Sequence, residues 1–239
     1  MPDVPFLVAT IVGFVPSFGI LYFAWGKLEG LFNEKQMFWN YFLGWIMGVF
    51  IAVFFLILKY SVGAYLDLSL MFLVFFAIFT ESLKYIYLNI PKKRENYQLP
   101  YQGFALGLGI SALWAVAVIY QYLRYANLND AQYIIGIISF FLFSTGIAAI
   151  HASTGAMMGY GIFNREGERF LLKSMGIMII FNLTLLPLVW EMNPVYYIFG
   201  FSIGIPYLYF KVYKGVLVNV IPREVKSKWL RERKKVRGE

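Results

Sequence analysis

The chain has 239 residues, of which 60% are hydrophobic, 20% aromatic and only 14% charged. Its continuous apolar stretches exceed the ~20 residues that a membrane-spanning helix needs. A soluble protein of this size would not need apolar stretches of that length. The composition therefore excludes an ordinary soluble domain, and the absence of cysteine excludes disulfides and thiol nucleophiles. We predict an all-α protein embedded in a membrane.

Seven apolar stretches are long enough to cross a bilayer, and only short loops separate them. We therefore predict one polytopic transmembrane helix bundle over residues 1–222, followed by a basic tail over residues 223–239. The predicted spans cover about 6–26, 37–59, 65–90, 101–123, 132–163, 170–190 and 194–220.

The net charge of +8 is divided unevenly between the two ends of the predicted spans. Of the 21 lysines and arginines, 18 fall on one side when the eight in the tail are counted, and only Lys59 and Arg124 fall on the other. The remaining one, Lys84, lies within a predicted span. By the positive-inside rule this places the N-terminus outside and the C-terminus in the cytoplasm. We expect the tail to bind anionic lipid, at about 1 kcal/mol per basic residue. No nucleic acid is expected as a partner, because no recognition fold accompanies the charge.

The third predicted span carries two ionisable side chains, Glu81 and Lys84. A charged group near the bilayer centre costs at least ~2.5–3.5 kcal/mol, so such groups usually face the bundle interior and have a partner or a function. Three residues apart on a helix, the two share one face and predict a salt bridge. The alternative is a self-neutralising pair in which Lys84 snorkels toward the cytoplasm.

The fourth span contains a ridge of small residues, Gly103, Gly107 and Ser111, at intervals of four. Small residues at this spacing let two helix backbones approach closely. Continued by three residues, the ridge reaches Trp114, so we expect the indole to point toward the same interface. Helix packing is the favoured interpretation of the glycines.

The fifth span, residues 132–163, would be about 48 Å long as a helix, against a hydrocarbon core of about 30 Å. It must tilt, protrude or break, and residues 144–146 (Ser-Thr-Gly) are the predicted break point. Beyond that point, His151, Gly155 and Gly159 recur at intervals of four. The histidine is either part of a site that something can approach, or polar glue hydrogen-bonded to a neighbouring helix.

Glu81 and His151 lie at comparable depths, because each is on a predicted helix that runs from outside to inside. We therefore predict that Glu81, Lys84 and His151 meet in one buried polar site. Asn182 in the sixth span and Asn40 in the second are lesser polar candidates.

Three segments resemble motifs of the PrsW-like intramembrane proteases, which are relatives of the CAAX prenyl proteases. The family has Glu-Glu-x-x-Lys on one helix, and here residues 80–84 read Thr-Glu-Ser-Leu-Lys. Its next block is a glycine ridge leading to Phe-x-x-x-Glu; this chain has the glycines, with Ile110 and Trp114 in place of the Phe and Glu. Its third block opens with a histidine and runs into Gly-Tyr-Gly, as residues 151–161 do.

The resemblance implies a hydrolytic site in which carboxylates and a histidine activate water, directly or through a metal. Two of the expected carboxylates are replaced, by Thr80 and Trp114, and pairing with Lys84 makes Glu81 a poorer base. No cofactor is predicted, and a divalent metal is poorly supported, because two protein ligands are too few for a catalytic zinc. The expected catalytic residues are Glu81, Lys84 and His151. The expected substrate cavity is lined by Thr80, Trp114, Ser111, Gly155 and Asn182.

Three hypotheses follow. The first is a PrsW-like integral membrane protein of a prokaryotic plasma membrane that binds transmembrane or membrane-associated peptide, with proteolysis reduced or lost. The second is an active intramembrane protease that uses Glu81 and His151. The third is a transporter or channel in which Glu81, Lys84 and His151 relay protons or ions. Against the third, the two halves of the chain show no inverted repeat, a feature of many transporters.

Overall fold

The computed structural model describes residues 3–28, 30, 32–62, 66–125, 130–184 and 198–222, together with five residues of the tail between 224 and 231. Across these residues the protein is all-helical, with seven α-helices and no β-strand, as the sequence predicts. The helices are α1 (Val4–Leu28), α2 (Glu34–Val62), α3 (Leu66–Leu88), α4 (Leu99–Tyr125), α5 (Asp130–Phe163), α6 (Gly167–Leu183) and α7 (Ile198–Tyr207). A 3₁₀ turn, Pro91–Lys93, follows α3, and α7 continues directly into a π-helical segment, Leu208–Leu217.

Five of these helices, α1 to α5, are long and apolar enough to cross a membrane. The sixth and seventh predicted spans correspond to α6 and to α7 with its π-helical continuation. Both predicted spans extend into residues 185–197, which lie outside the described part of the chain, as does most of the tail 223–239. The orientation of the termini stays a prediction from the loop charges.

α5 is a single unbroken helix from Asp130 to Phe163, so the predicted break at residues 144–146 is wrong. The small residues at that point serve helix packing instead. Ser144 donates a hydrogen bond to the Gly13 carbonyl of α1, and the backbone of Gly146 lies directly against Gly204 of α7. A small residue can allow either a kink or a close contact, and here it provides the contact.

α4 is the central helix of the bundle. Of its spanning segment 83% is buried, compared with 33% for α1 and 61% for α5. It packs between α1, α2 and α5, and its contacts with α2 and α5 are backbone-to-backbone. Gly103 lies against Gly155, and Gly107 lies against the carbonyl of His151, so the glycine ridges predicted separately on two helices face each other. Small residues at both sides of a contact allow this distance.

α3 joins the bundle differently, because residues 66–88 contain no glycine. It packs on α2 through phenylalanine side chains, with the Phe54 and Phe79 ring centroids 4.2 Å apart. Polar links connect it to three further positions: Tyr87 donates to Asn40 of α2, Asn182 of α6 donates to the Leu73 carbonyl, and Lys84 donates to α5. The charged residues of the predicted site thus lie on the helix that the bundle holds through side chains.

Candidate functional site

The predicted salt bridge between Glu81 and Lys84 is present, with 2.5 Å between the Lys84 Nζ and the Glu81 Oε1. Both side chains are 0% exposed, and Lys84 is among the largest fully buried side chains of the protein. Lys84 therefore does not snorkel to the surface. An ion pair buried this completely is stable only with further hydrogen bonds to its charged groups.

Thr154 of α5 supplies those hydrogen bonds. Lys84 Nζ donates to the Thr154 Oγ1 at 2.6 Å, and the threonine hydroxyl donates onward to the Glu81 Oε1 at 3.1 Å. The same hydroxyl lies 3.3 Å from the carbonyl oxygen of His151, one turn earlier on α5. Glu81, Lys84 and Thr154 form a closed triangle across two helices, which we call the α3–α5 polar cluster.

His151 is also fully buried, and its ring packs edge-on against Trp114, with 5.8 Å between the ring centroids. Neither imidazole nitrogen has a hydrogen-bond partner among the described residues, and the same holds for the Trp114 Nε1. The histidine is therefore not hydrogen-bonded polar glue. Its backbone borders the polar cluster through the Thr154 hydroxyl, while its ring lies on α4.

Trp114 occupies a closed aromatic environment. Its ring centroid lies 5.6 Å from those of Phe55 and Phe76, on α2 and α3, and it also packs against the His151 ring. At the position where the PrsW resemblance implies a carboxylate, this chain thus has a large apolar side chain that fills the space between α2, α3 and α5.

The remaining predicted cavity residues make hydrogen bonds within their own helix or pack against a neighbouring helix. The Thr80 hydroxyl donates to the Phe76 carbonyl at 2.8 Å, and the Ser111 hydroxyl donates to the Leu108 carbonyl at 2.7 Å. Gly155, predicted to line a cavity, has no room for a Cβ, because the backbone of Gly103 occupies that space. Its role is therefore a helix contact.

Asn182 links α6 to α3. Its Nδ2 donates to the Leu73 carbonyl at 3.0 Å, while its Oδ1 has no partner in the described part of the chain. About two turns earlier on α6, the Ser174 hydroxyl donates to the Thr154 carbonyl at 3.4 Å. α6 therefore packs against both helices that carry the polar cluster.

The whole site is closed in this structure. Glu81, Lys84, His151, Trp114 and Thr80 are each 0% exposed, so no space as large as a water molecule adjoins their side chains. A peptide could reach these groups only after a helix moves. The substrate cavity stays a prediction.

The residues present do not fit a catalytic metal ion. Glu81 and His151 are the only carboxylate and imidazole that the prediction offers, and one Glu81 oxygen is already engaged by Lys84 and Thr154. Across the described ranges no three His, Cys, Asp or Glu side chains are grouped so as to hold a metal. A catalytic zinc takes three protein ligands and a water.

Sequence reasoning missed Thr154 as a member of the site. The available signal was its position three residues after His151, on the same face of α5. The chain matches no protein-family model, no curated protein and no solved structure. The resemblance to the PrsW-like proteases stays a prediction from the three motifs.

Proposed function

We propose that this chain is a PrsW-like integral membrane protein that receives a transmembrane or membrane-associated peptide at Glu81, Lys84 and His151, with proteolysis reduced or lost. The observation that carries the proposal is the α3–α5 polar cluster. It holds the one carboxylate of the site in a buried ion pair. The protein would act in the plasma membrane of a prokaryote.

The family part of the proposal is supported by where the three motif blocks meet. They are separated along the chain, on α3, α4 and α5, yet Lys84 bonds Thr154, Trp114 touches His151, and the two glycine ridges pack together. Residues that resemble one family's motifs are expected to converge if they belong to one site. Structural packing alone would account for the glycines but not for the buried charges.

Weak hydrolysis follows from how Glu81 is held. A general base must accept a proton from water near neutral pH. The Glu81 Oε1 already accepts hydrogen bonds from the Lys84 ammonium and the Thr154 hydroxyl, and both would have to be given up. The two further carboxylates that the resemblance implies are replaced by Thr80 and Trp114.

Peptide binding is supported by buried polar atoms that lack partners. These atoms are the Glu81 Oε2, both ring nitrogens of His151 and the Trp114 Nε1, within the described residues. Buried polar groups are nearly always hydrogen-bonded, and leaving them unpaired is unfavourable. A peptide that is locally unwound inside a membrane protein offers both N–H donors and carbonyl acceptors, and it needs partners of its own.

Access to the site requires α3 to move. Trp114, Phe55 and Phe76 close one side, and their contacts are between side chains rather than between backbones. α3 also has no glycine contact that would lock its backbone to a neighbour. We therefore place the peptide entry route at α3, from the lipid side.

The test is cleavage of transmembrane peptides co-reconstituted with the purified protein. We expect the native protein to cleave them little or not at all, and Thr80→Glu with Trp114→Glu to create activity if the lost carboxylates explain the inertness. Glu166→Gln is the matched control, because Glu166 and Arg169 form an ion pair of the same i,i+3 spacing that is exposed.

Robust cleavage by the native protein, abolished by Glu81→Gln or His151→Ala but not by Glu166→Gln, would contradict reduced proteolysis and identify an active protease. If no variant cleaves while Glu81→Gln changes proton or ion flux into liposomes, the relay hypothesis replaces the proposal.

A further inference from the structure

A basic cleft lies at the C-terminal end of α3, about one helical turn beyond Lys84 of the α3–α5 polar cluster. It is formed by the start of α2, the end of α3 and the 3₁₀ turn that follows, and it encloses about 630 Å³. Three lysines line it, Lys35, Lys92 and Lys93, and no acidic side chain of the described residues does. A larger cleft between α3 and α6 is lined by three arginines and three glutamates, so its charges balance. Of these two clefts, the lysine-lined one carries the net positive charge.

Several amide oxygens of the cleft already accept hydrogen bonds from the protein. The Asn33 Oδ1 accepts a hydrogen bond from the Gln36 backbone N–H at 3.2 Å, and the Asn96 Oδ1 accepts one from the Gln98 backbone N–H at 2.9 Å. A backbone N–H can only donate, so both amide oxygens are committed to the protein. What these two side chains offer a ligand is their NH₂ groups.

Two further amides in the cleft follow the same pattern. The Asn40 Oδ1 accepts a hydrogen bond from the Tyr87 hydroxyl at 2.7 Å, and the Gln36 Oε1 accepts one from Gln102 at 3.2 Å. The Asn40 Nδ2 is also engaged, since it donates to the Gln36 carbonyl at 2.6 Å. A cleft that combines ammonium groups with amide N–H donors, and in which these four amide oxygens already accept hydrogen bonds, is complementary to an anion.

Lys93 is the most buried of the three lysines that line the cleft. Its Nζ is buried, lies 3.2 Å from the centroid of the Tyr87 ring, and has no hydrogen-bond partner among the described residues. Burial lowers the pKa of Lys93 to about 8, so the ammonium form still predominates at pH 7. A desolvated ammonium that has only a cation–π contact gains from an anionic partner.

The depth of the cleft indicates where the anion comes from. The candidate span in α2 begins at Glu34, and the one in α3 ends at Leu88. The cleft therefore lies where these two spans meet the membrane surface. Trp39 and Ile90, which line it, are 62% and 41% exposed. An exposed tryptophan at the end of a span is typical of the headgroup level.

We propose that this cleft binds the phosphate group of an anionic membrane lipid. The lysines and amide N–H groups hold the phosphate, and the acyl chains lie along the exposed apolar faces of α2 and α3. On the side assigned by the positive-inside rule, this is the cytoplasmic leaflet, where anionic lipid faces juxtamembrane lysines. The proposal is independent of peptide binding at the polar cluster.

The experiment is a titration of the full-length protein in detergent with phosphatidylglycerol, followed by native mass spectrometry. The test variant carries Lys35→Gln, Lys92→Gln and Lys93→Gln. The matched control carries Lys173→Gln, Lys211→Gln and Lys214→Gln, which removes the same charge from lysines outside the cleft. We expect the test variant to lose affinity about tenfold or more and the control to lose less than about twofold.

Equal loss in both variants, or no loss in either, would overturn the proposal, since binding would then follow net charge or ignore the cleft. Phosphatidylcholine binding as tightly as phosphatidylglycerol would also overturn it. Inorganic phosphate is added in a parallel titration. Displacement of the lipid at low millimolar phosphate would show that the cleft binds a free anion, and would overturn the lipid proposal. A melting curve of each variant keeps loss of fold distinct from loss of binding, and the single variant Lys35→Gln, at an exposed residue, repeats the test with the least disturbance.

Discussion

Replacing Lys84 with methionine is expected to destabilise the protein by about 3–5 kcal/mol, because it leaves the buried Glu81 without its counter-charge. Methionine keeps most of the length of the lysine stem, so the change removes the ammonium group with little loss of packing. The measurement is the free energy of unfolding by sodium dodecyl sulfate titration in mixed micelles. Glu81 and Lys84 are both 0% exposed, so solvent screening does not weaken the effect.

The controls for this prediction come from the chain itself. Arg169→Met breaks the exposed pair with Glu166, which has the same spacing, and should change stability little. The double variant Glu81→Gln with Lys84→Met removes both charges and should recover most of the lost stability, since replacing a whole buried pair is often nearly neutral. A single Lys84→Met variant as stable as the native protein would contradict the buried ion pair.

Replacing Gly107 with alanine is expected to destabilise the bundle by about 1–3 kcal/mol. The new methyl group would overlap the carbonyl of His151, which is backbone and moves only if α4 and α5 separate. Separation of these helices would also disturb the contact between Trp114 and His151. The same unfolding titration measures the effect.

Gly176→Ala is the matched control, because it lies on the exposed face of α6 with nothing within 4 Å of the new Cβ. Alanine there should stabilise the helix by up to about 1 kcal/mol. The two Gly→Ala changes are thus expected to have opposite signs. Equal effects at Gly107 and Gly176 would show that α4 and α5 do not touch at this glycine.

Much of the helical framework could be predicted from the sequence, because apolar length and helical spacing are local properties. The pairing of Glu81 with Lys84 follows from the i,i+3 spacing alone, and the structure confirms it. The small-residue ridges that contain Gly103 and Gly155 are also recognisable in the sequence. Spacing identifies one face of one helix, however, and does not say which neighbour covers it, so their mutual contact appears only in the fold.

Thr154 shows why the contacts of the site between helices could not be predicted from the sequence. A hydroxyl on a membrane helix usually bonds the carbonyl one turn back, as Ser153 does with Ala149 at 2.7 Å. The hydroxyl of its neighbour Thr154 also lies near such a carbonyl, that of His151 at 3.3 Å, but in addition it bonds Glu81 and Lys84 on α3. The spacing places Thr154 on the His151 face of α5, but only the position of α3 shows that its hydroxyl belongs to the site. The glycine face beside His151 was similarly ambiguous, since a substrate or a helix could occupy it, and α4 does.

The most direct test of the proposed function is disulfide crosslinking of a membrane peptide to the site. Because the chain has no cysteine, Thr80→Cys is the only thiol in its variant. The probe is a poly-Leu/Ala transmembrane peptide of ~20 residues with one cysteine at its midpoint. Ile86→Cys, on the same helix at a side chain that is 67% exposed, measures random collisions in the bilayer. We predict that Thr80→Cys, though fully buried, crosslinks to the peptide above the Ile86→Cys background. Crosslinking at Ile86→Cys with none at Thr80→Cys would contradict a peptide site beside Glu81 and Lys84.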